Sequence, residues 1–183
     1  MHEHVSGTYQ SAGGGTRSYR AVDPDLLRWV HVAFMDSFLR SHQAFSTRPI
    51  PGGADAYIRL WAKSAEPLGL HDVPLDEAGL QACLVAYRRE LAVTDETREV
   101  IRWLRRPPLP LASRPVYALL FQAALASLPD ELRRMVALRA LPLNVVRPAA
   151  TGLLKFIRLA IGPDSPVEDA AIVRLRRAGM LVD

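Results

Sequence analysis

At 183 residues, with 49% hydrophobic and 23% charged side chains, the chain is long enough for one domain with a sizeable core and has the balance of an ordinary globular protein. Its net charge of +4 comes from 23 basic against 19 acidic residues; the surplus is nearly all arginine and is spread along the chain, which argues against a nucleic-acid partner. Cys83 is the single cysteine, so an intrachain disulfide is excluded and a reducing compartment, the cytoplasm, is the expectation.

Met1 to Gly7 is polar and lacks the apolar core of a secretory signal. Residues 1–22 are expected to be irregular, with Gly13-Gly14-Gly15 as a flexible turn, and residues 23–183 to form a helical domain. Asp23-Pro24 makes a helix start, because an aspartate can accept bonds from the free N–H groups and proline fits the first turn. That first helix is predicted over about 24–45. Pro49, Pro51, Gly52 and Gly53 break the chain before a helix over about 54–68 that carries Tyr57, Ile58 and Trp61 at helical spacing.

A third helix is predicted over about 76–91, and Thr94-Asp95 caps a fourth that ends at Pro107-Pro108. Pro115 opens a fifth to Leu128, and Pro129-Asp130-Glu131 a sixth to about Ala140. Residues 149–161 read as the next, stopped by Gly162-Pro163, and Ser165-Pro166 starts the last, which ends at Gly179. The longest apolar run, Val116 to Leu128, is interrupted by Gln122 and falls short of the roughly 20 residues that cross a bilayer. Without an alternating pattern longer than four residues, the expected fold is all-α: a single-domain bundle of about seven to eight helices.

In the first helix Leu27, Val30, His31, Phe34, Met35 and Phe38 recur at i, i+3, i+4, i+7, i+8 and i+11. His31 thus sits in an apolar stripe. It is either a core histidine satisfied by its neighbours, which periodicity alone favours, or an axial ligand to haem iron, its lone pair on the metal and the Leu, Phe and Met wall around the macrocycle. Arg28 and Asp36 lie on the polar flank of the same helix, either in solvent or turned to a haem carboxylate or to the imidazole.

Other candidates carry less. His2-Glu3-His4 lacks the spacing that puts two imidazoles on one helical face. His42 stands about three turns from His31, too far to share one metal, and His71 beside Asp72 reads as a surface histidine. Cys83, between Leu80 and Leu84, suits a buried thiol rather than a nucleophile. The triple glycine lacks the lysine and hydroxyl residue of a phosphate loop, and no nucleophile elbow is present. Arg102, Arg105 and Arg106, like Arg174, Arg176 and Arg177, fall near helix C-termini, where cations offset the helix dipole. The run Leu153 to Ile161, with Lys155 and Arg158, either packs on the bundle or lies on a membrane surface.

Tyr19-Arg20-Ala21-Val22-Asp23-Pro24-Asp25-Leu26-Leu27-Arg28-Trp29-Val30-His31, followed by Asp36-Ser37-Phe38-Leu39, resembles the Y-x-A-x-D-P-x-L-L-x-W-V-H core of the rubber oxygenase (latex-clearing protein) catalytic-domain family, which also contains the MpaB oxygenase. Met1-His2 with Val5 and Gly7 is similar to that family's M-H-x-x-V-x-G segment, and Tyr57, Trp61 and Leu68-Gly69-Leu70 to its next helix. The resemblance implies an oxidoreductase with haem b held by His31 as proximal iron ligand, acting with dioxygen on a small apolar organic substrate. It also implies that the residues working on the oxygen side belong to helices ahead of the M-H-x-x-V-x-G segment, so no catalytic residue is assigned and the expectation is a fragment, a truncated paralogue or the product of a late start codon. The rival expectation is a haem-free helical remnant serving as an interaction module.

Overall fold

In a computed structural model, which describes residues 4–162 and 166–177, the first element is one that helical patterning does not foresee. Ser6–Gln10 (β1) and Thr16–Arg20 (β2) pair antiparallel, with Tyr9 opposite Arg17 and Gly7 opposite Tyr19. The stretch expected to be irregular therefore contains a hairpin. Thr8, Tyr9, Thr16 and Tyr19 favour extended backbone, but strands of five residues are too short to stand out as alternation. The triple glycine is the hairpin's turn: Ser11 N–H donates to Gly15 O at 2.8 Å, and Gly14 N–H to Ser11 O at 2.9 Å. Gly14 has φ 80°, a left-handed conformation that only glycine adopts without steric cost.

Helix α1 spans Pro24–Phe45, as predicted. Asp23 precedes it but does not cap it; its carboxylate accepts from Arg20 N–H at 2.7 Å, so the side chain ties the helix to the end of β2. The predicted second helix divides into α2, Gly53–Ala62, and a 3-10 segment, Lys63–Leu68, that contains Pro67 and closes at Gly69. Proline has no N–H for the α-helical ladder, which accounts for the tighter turn. Helix α3, Glu77–Tyr87, is capped by Asp76, whose Oδ1 accepts from Gly79 N–H at 2.7 Å, and it ends short of the predicted 91.

Helix α4, Asp95–Arg105, begins with the predicted cap, a reciprocal Thr94–Thr97 pair. A short 3-10 turn, Leu111–Ser113, leads into α5, Arg114–Ser127. Helix α6, Asp130–Met135, stops before the predicted 140, where Ala137 takes φ 53°. Helix α7 runs Leu143–Ile161 and so begins six residues earlier than predicted, with Pro148 inside it. Val146 and Ala150, one turn apart, are both buried there, and that packing holds the first turns helical despite the proline. Helix α8 spans Pro166–Arg177, and its predicted end at Gly179 lies outside the described residues. Eight α-helices and one hairpin make up the described fold, in line with the all-α expectation.

α1 is shared by two cores. Val32, Met35 and Leu39 along its middle pack with Ile58 of α2 and Leu80 of α3. Each such side chain contributes about 1.5–3 kcal/mol by leaving water. At its end Phe45 packs with Ala123 of α5 and with Val146 and Ala150 of α7, and Thr151 Oγ1 donates to Phe45 O at 3.0 Å. Small alanines on both α5 and α7 let their backbones approach closely. Helix α4, by contrast, buries none of its residues.

Candidate functional site

The apolar stripe of α1 divides in two. His31, Val32, Met35 and Leu39 are buried, whereas Val30, Phe34 and Phe38 stand about half exposed, Phe34 at 54% and Phe38 at 53%. One residue advances about 100° round a helix, so His31 lies on the seam between the core-facing side and an open aromatic side. Phe34 and Phe38, one turn apart, stack at 6.0 Å between ring centroids.

His31 is only 6% exposed, and its Nε2 is buried without a hydrogen-bond partner. Burial holds its pKa below the ordinary imidazole value, because a charged ring loses hydration there. The Trp61 indole of α2 lies 6.2 Å from the imidazole, 5.3 Å from Phe38 and 5.8 Å from Tyr57, centroid to centroid. Trp61 Nε1 and Tyr57 Oη are likewise buried and unpartnered, and burial raises the Tyr57 pKa. One aromatic cluster thus holds three polar atoms with nothing to bond, although a buried donor left unsatisfied costs about 1–3 kcal/mol. Such a concentration calls for an explanation beyond packing.

The flanking charges do not join His31. Asp36, expected to face solvent or turn to the imidazole, is buried and accepts from Arg40 Nε, one turn along α1, at 2.7 Å and from Gln81 Nε2 of α3 at 3.4 Å. It therefore braces α1 against α3. Arg28 Nη2 pairs with Asp72 at 3.1 Å. His42 accompanies the chain turn after α1, its Nε2 2.9 Å from Arg48 O, and His4 and His71 are exposed, while His2 and Glu3 lie outside the described residues. Cys83 is half-buried, and burial raises its thiol pKa. Among the described residues no three His, Cys, Asp or Glu side chains cluster as a set of metal ligands, which leaves His31 to be weighed as a single ligand. The sequence placed Tyr57 and Trp61 on the second helix without marking them as site residues; a shared face four residues apart was the available signal.

Fold and site together define a helical domain that presents one buried imidazole at the border of an open aromatic helix face. Residues 1–159 match the family described as the catalytic domain of ER-bound oxygenase mpaB/B' and rubber oxygenase, and the chain belongs to that family. Membership places it with oxygenases, a class of oxidoreductases. Neither the curated proteins nor the solved structures compared with the chain gave a match. Among the described residues no helix is long and apolar enough to cross a membrane.

Proposed function

We propose that the chain is a haem b-dependent oxygenase in which His31 is the protein ligand to iron, acting with dioxygen on a small apolar organic substrate. The observation that carries this reading is the buried, unpartnered Nε2 of His31 beside an open aromatic face. A neutral imidazole offers a lone pair with no proton to displace, and burial favours that neutral form. Val30, Phe34 and Phe38 supply apolar surface suited to a macrocycle and exclude water from it. Trp61 Nε1 and Tyr57 Oη are donors without acceptors, suited to oxygen atoms of the bound group. When bound, haem supplies the activation of dioxygen, and the chain supplies binding, orientation and a dry environment. The single cysteine fits work in the cytoplasm.

The test is removal and chemical rescue of the ligand. Replacement of His31 by glycine, at a helix cost of about 1 kcal/mol, is expected to abolish the haem absorption band, and free imidazole to restore it. A variant that keeps the wild-type band without imidazole overturns the assignment.

A further inference from the structure

On the other side of α1 the hairpin, the first turns of α1 and the end of α3 enclose a groove of about 640 Å³, within the roughly 300–1,000 Å³ of small-molecule sites. Trp29, which lines it, leaves α1 about 160° round the helix from His31, so this is a separate place from the aromatic cluster. Its walls are aromatic: Tyr9 and Tyr19 from the hairpin, 6.2 Å apart, and Trp29 and Tyr87, 5.1 Å apart. The Tyr87 hydroxyl donates to Asp25 O at 3.2 Å, which fixes that ring. Arg17 and Glu90, both exposed, pair at 3.9 Å between the hairpin and the turn that follows α3.

Arg28 brings a buried, unpartnered polar atom to this lining. Its Nη2 is held by Asp72, but its Nε is buried without an acceptor. A guanidinium edge beside aromatic rings binds a carboxylate through short, charge-assisted bonds. Asp25 and Glu90 on the same walls disfavour a polyanion, so one carboxylate is the charge the groove accommodates. We propose that this groove is a second ligand site, taking a small planar organic monocarboxylate with its ring among Tyr9, Tyr19, Trp29 and Tyr87 and its carboxylate on Arg28 Nε. The site stands independently of any haem at His31.

The probe is 1-naphthoate, with 1-naphthamide as its uncharged counterpart, titrated by calorimetry into the full chain. Naphthoate is expected to bind at least about tenfold tighter than the amide, a difference of about 1.4 kcal/mol, and Arg28→Met is expected to erase that preference while leaving amide binding within about twofold. Should Arg28→Met not fold, Arg28→Lys serves, because it keeps the charge without the Nε edge and is expected to lose the same preference. A measurement on the unaltered chain stands beside these. Cys83 lines the groove and is the single cysteine, so naphthoate is expected to slow its alkylation by iodoacetamide several-fold and the amide to slow it less. Absence of naphthoate binding at millimolar concentration, equal binding by the arginine variants, or unprotected Cys83 at saturation overturns the proposal.

Discussion

A histidine that is buried without a partner titrates against the fold. His31 has a lowered pKa for want of hydration, so below the ordinary value of 6.5 the unfolded chain takes up a proton that the folded chain resists. The folded state is therefore undiminished above that value and loses stability as pH falls from it toward the lowered one. Urea midpoints measured from about pH 7 down to about pH 5 are expected to fall for the wild type and to fall less for His31→Leu; parallel curves would show that His31 is hydrated in the fold. Tyr57 carries a related cost. In the haem-free chain Tyr57→Phe removes an unsatisfied hydroxyl and is expected to be neutral or stabilising by up to about 1 kcal/mol, whereas an ordinary satisfied tyrosine would lose about that much, and thermal melts distinguish the two. His31 was legible because its spacing from Leu27, Phe34 and Met35 and its resemblance to a family motif both single it out. That its nitrogen lacks a partner, and that Gln81 of α3 reaches Asp36, depend on contacts between distant segments that spacing does not encode; the Asp36–Arg40 pair, four residues apart on α1, was open to a reading of spacing.

Helices announced themselves by their ends. Pro24, the Thr94 cap and the proline pair after α4 lie where the chain enters or leaves α-helix, because capping and the missing proline N–H are local effects. Boundaries decided by tertiary packing were not legible, as at Pro148, where burial of Val146 and Ala150 against α5 carries the helix back to Leu143. The hairpin escaped for a different reason: it is two short strands whose Tyr9 and Tyr19 pack on each other rather than on a continuous core face. These differences have consequences for stability. Leu80→Ala, in the core that α1 shares with α2 and α3, is expected to cost about 2–5 kcal/mol in chemical denaturation. Thr94→Ala is expected to cost about 1 kcal/mol, and since α4 buries no side chain, the loss is expected as faster amide exchange confined to α4, with the core amides unchanged.

The chain exposes 13468 Å² to solvent, against about 8,800 Å² for a compact monomer of 20.3 kDa. Half-exposed Phe34 and Phe38, stacked on each other, belong to that open area, and exposed apolar surface of this kind marks sites that bind something. Haem seated on the α1 face, as proposed, would cover part of it. Haem is therefore expected to lower the fluorescence of a bound hydrophobic dye and, at about 100 times its dissociation constant, to add about 2.7 kcal/mol of stability, an upward shift in Tm of about 5–10 °C. The measurement closest to the centre of the proposal is the visible spectrum of the purified chain titrated with haem, beside His31→Ala of matched helical content. A Soret band that saturates at one haem per chain and is lost in the variant is the expected result; a folded chain that stays colourless, or a variant with an equal band, contradicts the proposal.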